Sequence, residues 1–409
     1  MKPGTLSECF EGVATKYLSA VEAHPDSSNQ HEFNGVKELK LLIGPERLTT
    51  KADFIYLGED PDKTEKAEGF LTWYDARENH PTRSEYRLYF PSNIVTDMAT
   101  AGDLIIFGKR TTGNILVIVA RENSTSENQL LWLFGLQPQK AEVLFKEVED
   151  SQVGYVEQTI LEHLDIEVVS TDDQHLDLML DRFNGTFPST RIFSAFARET
   201  CGVIDSVSHP DDTLVEWLNQ EEKLFRSMER HIVSKRLREG FDEDVDQFVS
   251  FSLSVHNRRK SRAGHSLENH LEQIFTDNNL VFERGAITEN RSKPDFLFPG
   301  QEPYHSEDFP DSRLTMLGVK TTCKDRWRQV LTEADRIPQK HLLTLEPGIS
   351  EHQTNEMASQ SLHLVVPRAI YNSFSAVQQE WLVNVDGFIE TVRKKQGPRP
   401  TIGLKLGKL

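Results

Sequence analysis

The feature that most constrains this chain is Lys293-Pro294-Asp295-Phe296-Leu297-Phe298, taken with Leu314-Thr315-Met316-Leu317-Gly318-Val319-Lys320 downstream. Each is a short apolar run bounded by turn residues and reads as a strand. The first begins on a carboxylate beside a proline, and the second ends on a lysine. A carboxylate and an ammonium on neighbouring strands form the core of a metal-dependent phosphodiesterase site. In the usual pattern a second acid stands two residues before the lysine, but here that place is Gly318. The chain must therefore supply an acid from elsewhere.

Composition limits the alternatives. With 409 residues the chain is long enough for two or three domains, and 37% hydrophobic with 27% charged residues fits a globular protein. No apolar run is long enough to span a bilayer, so no membrane role is expected. Met1 to Leu18 lacks the apolar core of a signal peptide. Cys9, Cys201 and Cys323 are far apart and odd in number, which argues against a disulfide framework or a cysteine-ligated zinc. A reducing, bacterial or archaeal cytoplasm is the expected location. The net charge of −18 counts against indiscriminate nucleic-acid binding, but leaves room for a local basic groove.

Patterning divides the chain into residues 1–170, a linker at 171–185, and residues 186–409. Residues 6–23 read as a helix, from Phe10, Val13, Tyr17 and Val21 at helical spacing. Strands are expected at Leu39–Ile43, Tyr86–Phe90, Leu104–Phe107, Ile115–Ala120 and Leu130–Phe134, so the N-terminal part reads as a β-rich pseudobarrel. Residues 138–165 return to helical patterning. Beyond the polar stretch Ser170 to His175 the pattern is α/β. Helices are expected at 212–238, 244–256, 263–277 and 325–336, and strands at 295–298, 314–319, 341–345 and 362–366.

A lone Asp295 holds a hexacoordinate Mg²⁺ poorly, so a second acid is needed. In the expected helix after Asp325, residues Trp327, Val330, Leu331, Ala334 and Ile337 make an apolar stripe, and Glu333 lies on its flank at about 100° per residue. Glu333 would fill the place that Gly318 leaves vacant, sharing the ion with Asp295 while Lys320 positions the water. Glu268, beside the stripe Leu267, Leu271 and Ile274, would support the metal or the lysine. Taken singly, each of these has a bland reading: a turn Asp, a solvated lysine, surface glutamates. Only the joint arrangement points to catalysis.

The run Lys324-Asp325-Arg326-Trp327-Arg328 opens the same expected helix. Arg reads guanine O6 and N7 with two hydrogen bonds and Asp accepts from cytosine N4, so this element suits a G·C pair in the major groove. The alternative is a charged helix start with Asp325 as cap. A further basic run, Arg258, Arg259, Lys260 and Arg262, either touches phosphates or solvates a helix start.

Residues from about 187 to 393 closely resemble the catalytic domain of EcoRII-type restriction endonucleases. The resemblance rests on Asn257-Arg258-Arg259-Lys260-Ser261-Arg262-Ala263-Gly264, on Ser266-Leu267-Glu268, on Ala286 to Glu289 and on Lys293 to Pro299. Its most specific part is Val319 to Gln329, closing with Glu333-Ala334-Asp335. The resemblance implies a restriction-endonuclease-like fold of the PD-(D/E)xK type, a Mg²⁺ requirement, and cleavage of double-stranded DNA by a homodimer. It places the catalytic set on Glu268, Asp295, Lys320 and Glu333, and the C·G-reading element on Lys324, Asp325 and Arg326. Members that read CCWGG flip the central bases onto an Arg and a Tyr, where this chain has Leu218 and Glu222. A related CC/GG-containing site, read without base flipping, is expected. More faintly, Tyr17 to Ala20 with Ser28-Asn29-Gln30-His31 resembles the start of the EcoRII effector domain. That resemblance makes Asn29, Gln30 and His31 candidate DNA contacts.

The expected function is a type II restriction endonuclease leaving 5′-phosphates. The rivals are a DNA-binding regulator with a vestigial nuclease fold and a structure-specific repair nuclease.

Overall fold

A computed structural model describes residues 5–23, 31–58, 64–136, 144–148, 153–168 and 174–397. It divides into two compact units: residues 1–171 with 347–352 and 372–375, and the remainder from 172 onward.

The first unit is built on one eight-stranded sheet in the order β2-β5-β4-β3-β7-β6-β1-β8. The strands are β1 (Phe10–Tyr17), β2 (Glu32–Gly35), β3 (Leu48–Leu57), β4 (Glu65–Asp75), β5 (Tyr86–Tyr89), β6 (Leu104–Arg110), β7 (Ile115–Ala120) and β8 (Leu144–Glu147). The sheet is strongly curled. β2 and β6 lie five positions apart, about 24 Å in a flat sheet, yet the rings of Phe33 on β2 and Phe107 on β6 are 5.3 Å apart. The concave face closes over Phe33, Phe54, Trp73, Phe90 and Phe107. The opposite face of the central strands packs beneath two helices, Thr125–Leu133 and Tyr155–His163.

Several expected elements are corrected here. Residues 6–23 contain the strand β1, buried on both faces between β6 and β8. Burial on both sides removes the alternation that marks a strand, and the chance spacing of Phe10, Val13 and Tyr17 imitates a helix. Leu39–Ile43 belongs to a helix, Lys37–Ile43, with Leu39 and Leu42 inward. Leu130–Phe134 falls at the end of the helix Thr125–Leu133, which Ser124 caps by accepting a hydrogen bond from Glu127 N. Within 138–165 the described residues form β8 as well as a helix.

In the second unit Leu176–Phe183, inside the expected linker, is a helix with Met179 and Phe183 buried. The helix Thr190–Thr200 packs with it. Two long antiparallel helices follow, α1 (Pro210–Glu239) and α2 (Val245–Asp277). α2 is unbroken where two helices were expected, because Gly264 sits inside it without a break.

The second sheet runs β13-β12-β11-β10-β9. Here β9 is Glu283–Arg284, β10 Phe296–Phe298, β11 Thr315–Lys320, β12 Lys340–Thr344 and β13 Leu362–Val365. β9, β10 and β11 are antiparallel, and β11, β12 and β13 parallel. This mixed α/β architecture agrees with the expected fold class. On one face Phe296 and Phe298 pack edge-on against Phe275 of α2, at 5.2 and 5.5 Å. The other face carries Leu297, Met316, Gly318 and Lys320, since Phe296 pairs with Leu317 and side chains alternate.

The expected helix 325–336 is shorter. A 3₁₀ turn at Lys324–Arg326 leads into one helical turn at Trp327–Val330, and Ala334 has φ 51°. The apolar residues still point inward: Trp327, Val330, Ala334 and Ile337 are all buried. Val330 lies directly on Gly318, so close that a Cβ built at 318 would sit 2.8 Å from Val330 Cγ2. The vacancy at 318 is thus what lets this segment descend onto the sheet.

Gly318→Ala is therefore expected to destabilise the protein by about 1–3 kcal/mol through overpacking. Val330→Ala in the same chain should recover much of that loss. Urea unfolding of the single and double variants measures both.

Candidate active site

β10 and β11 bring the strand acid and the strand lysine together. Asp295 Oδ2 accepts hydrogen bonds from Val319 N at 2.6 Å and from Lys320 Nζ at 3.0 Å. Both side chains are about a fifth exposed, so the pair stands at the edge of solvent and open to a ligand. The backbone contact fixes the carboxylate in place, and the ammonium is held beside it.

Glu333 joins them from the segment over Gly318. Burial, then the negative charge of Asp295, pushes its carboxyl up to about 7, while Lys320 and Lys340 pull the other way. One of its oxygens, Oε2, is buried and makes no hydrogen bond. A half-buried acid with an unpartnered oxygen, within the field of a second acid, is a strong acceptor for a cation. Among the described residues no cluster of three or more His, Cys, Asp or Glu has metal-binding geometry, so the candidate set is these two carboxylates.

The loop bearing Glu333 is clamped along its length. Lys340, buried at the start of β12, donates to the carbonyls of Ala334 at 3.2 Å and Ile337 at 2.8 Å. Asp335 N donates to Glu289 at 3.2 Å, and Arg336 N to Tyr304 Oη at 3.2 Å. Arg336 in turn donates to the carbonyls of Tyr304, Ser306 and Phe309. This clamp holds the left-handed Ala334 and with it the adjoining Glu333.

Glu268 stands differently. It pairs with Arg284 at 2.5 Å, and Arg284 also binds Glu272 at 2.6 Å and Asn269 at 3.1 Å. The Arg284 guanidinium lies over Phe296, on the α2 side of the sheet.

The expected base-reading element forms the 3₁₀ turn, with Lys324 at φ 39°. Its support is Glu346, a carboxylate at the end of β12 that accepts from Cys323 N at 2.5 Å and Lys324 N at 3.3 Å. Burial raises the Glu346 pKa, and those two backbone donors oppose the rise. Arg326 is exposed and donates to Thr322 O at 3.0 Å. Arg328 pairs with Glu356 at 2.8 and 3.0 Å. The Asp325 side chain lies outside the described residues, as do Asn29 and Gln30. His31 packs edge-on against Phe90 at 6.0 Å. In the basic run, Arg259 pairs with Glu229 and Arg262 with Glu222, so both are turned toward α1. Sequence reasoning missed Lys340, Glu346 and the Glu289–Tyr304–Arg336 clamp. None carries a local signal, since their partners lie from several residues to more than forty away.

Residues 225–389 match the family model described as the EcoRII C terminal. Over 181 residues the chain is 46% identical to the type II restriction enzyme EcoRII of Escherichia coli, across 44% of this chain and 45% of that one. The match thus spans under half the length of this relative. Among solved structures, metal-depleted Ecl18kI in complex with uncleaved, modified DNA aligns at TM-score 0.45 and 20% identity, over 54% of this chain and 83% of that one. A PspGI–substrate DNA complex aligns at 0.44 and 13%, over 51% and 93%. The matched segment is a restriction-endonuclease domain. More narrowly, it is of the EcoRII type.

The raised Glu333 pKa fixes the sign of a pH effect. Without divalent ions the folded protein holds this proton more tightly than the unfolded chain does. The resulting stability is full below about pH 4.5 and is lost as pH rises through about 7. Glu333→Gln should remove that loss, so the variant melts above the wild type at pH 8 and the gap closes near pH 4. Magnesium should raise the wild-type melting temperature at pH 8 more than at pH 6, and leave the variant nearly unmoved. Thermal melts across pH, with and without the ion, test this.

Proposed function

We propose that this chain is a type II restriction endonuclease making Mg²⁺-dependent, sequence-specific double-strand cuts in DNA. The observation that carries the reading is the convergence of Asp295, Lys320 and Glu333 on one face of the sheet, within residues 225–389, which match the family model described as the EcoRII C terminal. That residue set fits a divalent ion: the charge of one carboxylate helps keep the other protonated, and one buried oxygen of Glu333 lacks a partner. Asp295 and Glu333 would hold it. When bound, the ion would neutralise phosphate charge and lower the pKa of a water.

The chain's own groups do the rest. Val319 N and Lys320 orient Asp295. Lys320, close to the edge of solvent, holds the attacking water or a phosphate oxygen in line with the scissile bond, so that the 3′-oxygen leaves and a 5′-phosphate remains. Glu268 acts through Arg284 as support for the same sheet edge. Lys324, Asp325 and Arg326 read C·G pairs, with Glu346 setting the turn that presents them, and Arg328 lies beside the DNA backbone. Of the basic run, exposed Lys260 remains for an outside partner, Arg258 stacks over the Phe187 ring at 4.9 Å, and Arg259 and Arg262 brace the helices.

Two copies acting together would cut both strands at a CC/GG-containing site. Leu218 is buried and Glu222 is ion-paired with Arg226 and Arg262, which supports reading that site without flipped bases. Trp217 is also buried, with its ring against His270 and Arg198. The curled N-terminal sheet serves as a pseudobarrel-like DNA-binding or effector module, with His31 and its preceding residues as candidate contacts. The protein works in the cytoplasm.

Digestion of a plasmid of known sequence with Mg²⁺ should give discrete fragments whose ends map to one CC/GG-containing sequence. Lys320→Ala should lower the rate by about 10³-fold or more, with gel-shift affinity for the same DNA nearly unchanged. Cutting at the wild-type rate by that variant would refute the assignment, and nicking that follows DNA structure instead of sequence would replace it with a repair role.

A further inference from the structure

The loop that leads into Asp295 is bent against the preference of its own residues. Asn290 has φ 56° and Arg291 φ 61°, so two successive residues with side chains stand in the left-handed region. Asn tolerates that region, but for Arg it is uncommon and costly. A glycine would adopt it freely. The surroundings enforce the bend. Thr288 N donates to Ser292 O at 2.9 Å and Ser292 N to Glu289 O at 3.0 Å, which closes the loop at its neck. Glu289 accepts from Tyr304 Oη at 2.7 and 2.5 Å and from Asp335 N at 3.2 Å, while Thr288 Oγ1 accepts from Ala334 N at 3.4 Å. The neck is thus tied to the two residues that follow Glu333, and the chain leaving it runs through Lys293 and Pro294 into Asp295.

The tip has no such ties. Asn290, Arg291 and Lys293 are exposed, and among the described residues the side chains of Arg291 and Lys293 have no hydrogen-bond, ion-pair or ring partner. Two unpartnered cations are therefore held beside both candidate metal carboxylates, in a chain whose net charge is −18. Nothing inside the protein uses the Arg291 guanidinium, yet it occupies a position where glycine would be free of strain. Enforced strain beside a reacting centre points to a use outside the protein.

We propose that this loop grips the DNA backbone next to the scissile phosphate, with Arg291 and Lys293 each binding a phosphate oxygen. Guanidinium and ammonium groups are both suited to that charge. A backbone contact is favoured over a base contact because the ties to Ala334 and Asp335 keep the tip near the carboxylates, where the strand to be cut must lie. The inference rests on the nuclease reading, in which Asp295 and Glu333 face that strand.

The test is fluorescence anisotropy without divalent ions, on a labelled duplex carrying the mapped cleavage sequence and on one with that sequence scrambled. Arg291→Gly should raise the dissociation constant about three- to tenfold on both duplexes alike, and flatten the slope of log Kd against log salt by about one. Its melting temperature should stay within about 2 °C of the wild type, since the glycine suits the bend. Lys293→Gln should act in the same way, and Arg291→Lys, which keeps the charge, should keep the salt slope. Lys394→Gln removes a charge from the helix Val385–Gln396, which packs on the far face of the sheet through Phe388 and Phe298. It should change neither affinity nor slope. An Arg291→Gly protein that binds like the wild type, that loses no more than Lys394→Gln, or that weakens only on the cleavage sequence would each overturn the proposal. So would a large fall in melting temperature with binding intact, which would make Arg291 a structural residue. If the wild type cuts at one sequence while Arg291→Gly binds normally, only this proposal fails; if the wild type binds and cuts no duplex, the nuclease reading itself fails.

Discussion

The close approach of Val330 to Gly318 is the contact on which the candidate site depends. Any side chain at 318 would lift the Trp327–Ile337 segment off β11, and Glu333 would move away from Asp295 with it. The absence of an acid at 318 and the presence of one at 333 are therefore one structural fact. A larger residue at 318 would fill the space that the compensating segment needs. The geometry also explains why a single helical turn suffices: Trp327 and Val330 anchor one end, and buried Ala334 and Ile337 anchor the other.

What is gained is a carboxylate in a place that resists ionisation. Burial and the neighbouring Asp295 both disfavour charge on Glu333, and a peptide segment free to relax would swing the acid out to water. The clamp prevents that escape. Lys340 satisfies two carbonyls of the loop, Glu289 and Tyr304 take two of its amides, and Arg336 reaches three further carbonyls. A left-handed Ala334 costs on the order of 1 kcal/mol, which this many hydrogen bonds can offset. The backbone is over-determined where the acid would otherwise drift.

Much of this was legible in the sequence, and the limits are informative. The strands at Asp295–Phe298 and Leu314–Val319 were readable because both are apolar, short and bounded by turn residues. Glu333 was readable as a candidate for the missing acid because Gly318 left a gap, and the structure brings it close enough to Asp295 to feel its charge, although the supposed helix was too long. The stripe Trp327, Val330, Ala334 and Ile337 survives the change of conformation, since a turn, a kink and a loop can bury the same residues as a helix. β1 was misread because a strand buried on both faces has no period of two. Lys340 and Glu346 were invisible for another reason. Each is a charged residue at a strand end, and what distinguishes it is a set of backbone groups that folding alone brings near.

The helical hairpin shows the same division between what local pattern reveals and what packing decides. Its inner half is fastened by buried charge. Glu222 binds Arg226 at 2.6 Å and also Arg262, whose guanidinium lies 3.7 Å from Glu221 as well. Burial opposes the Glu222 charge, but Arg262 and Arg226 hold its pKa below the usual carboxylate range. Such pairs add little net stability over apolar packing, yet breaking one leaves an uncompensated charge and is costly. They therefore fix the register of α2 on α1 more sharply than leucines would, because a slip of one turn would strand several charges together.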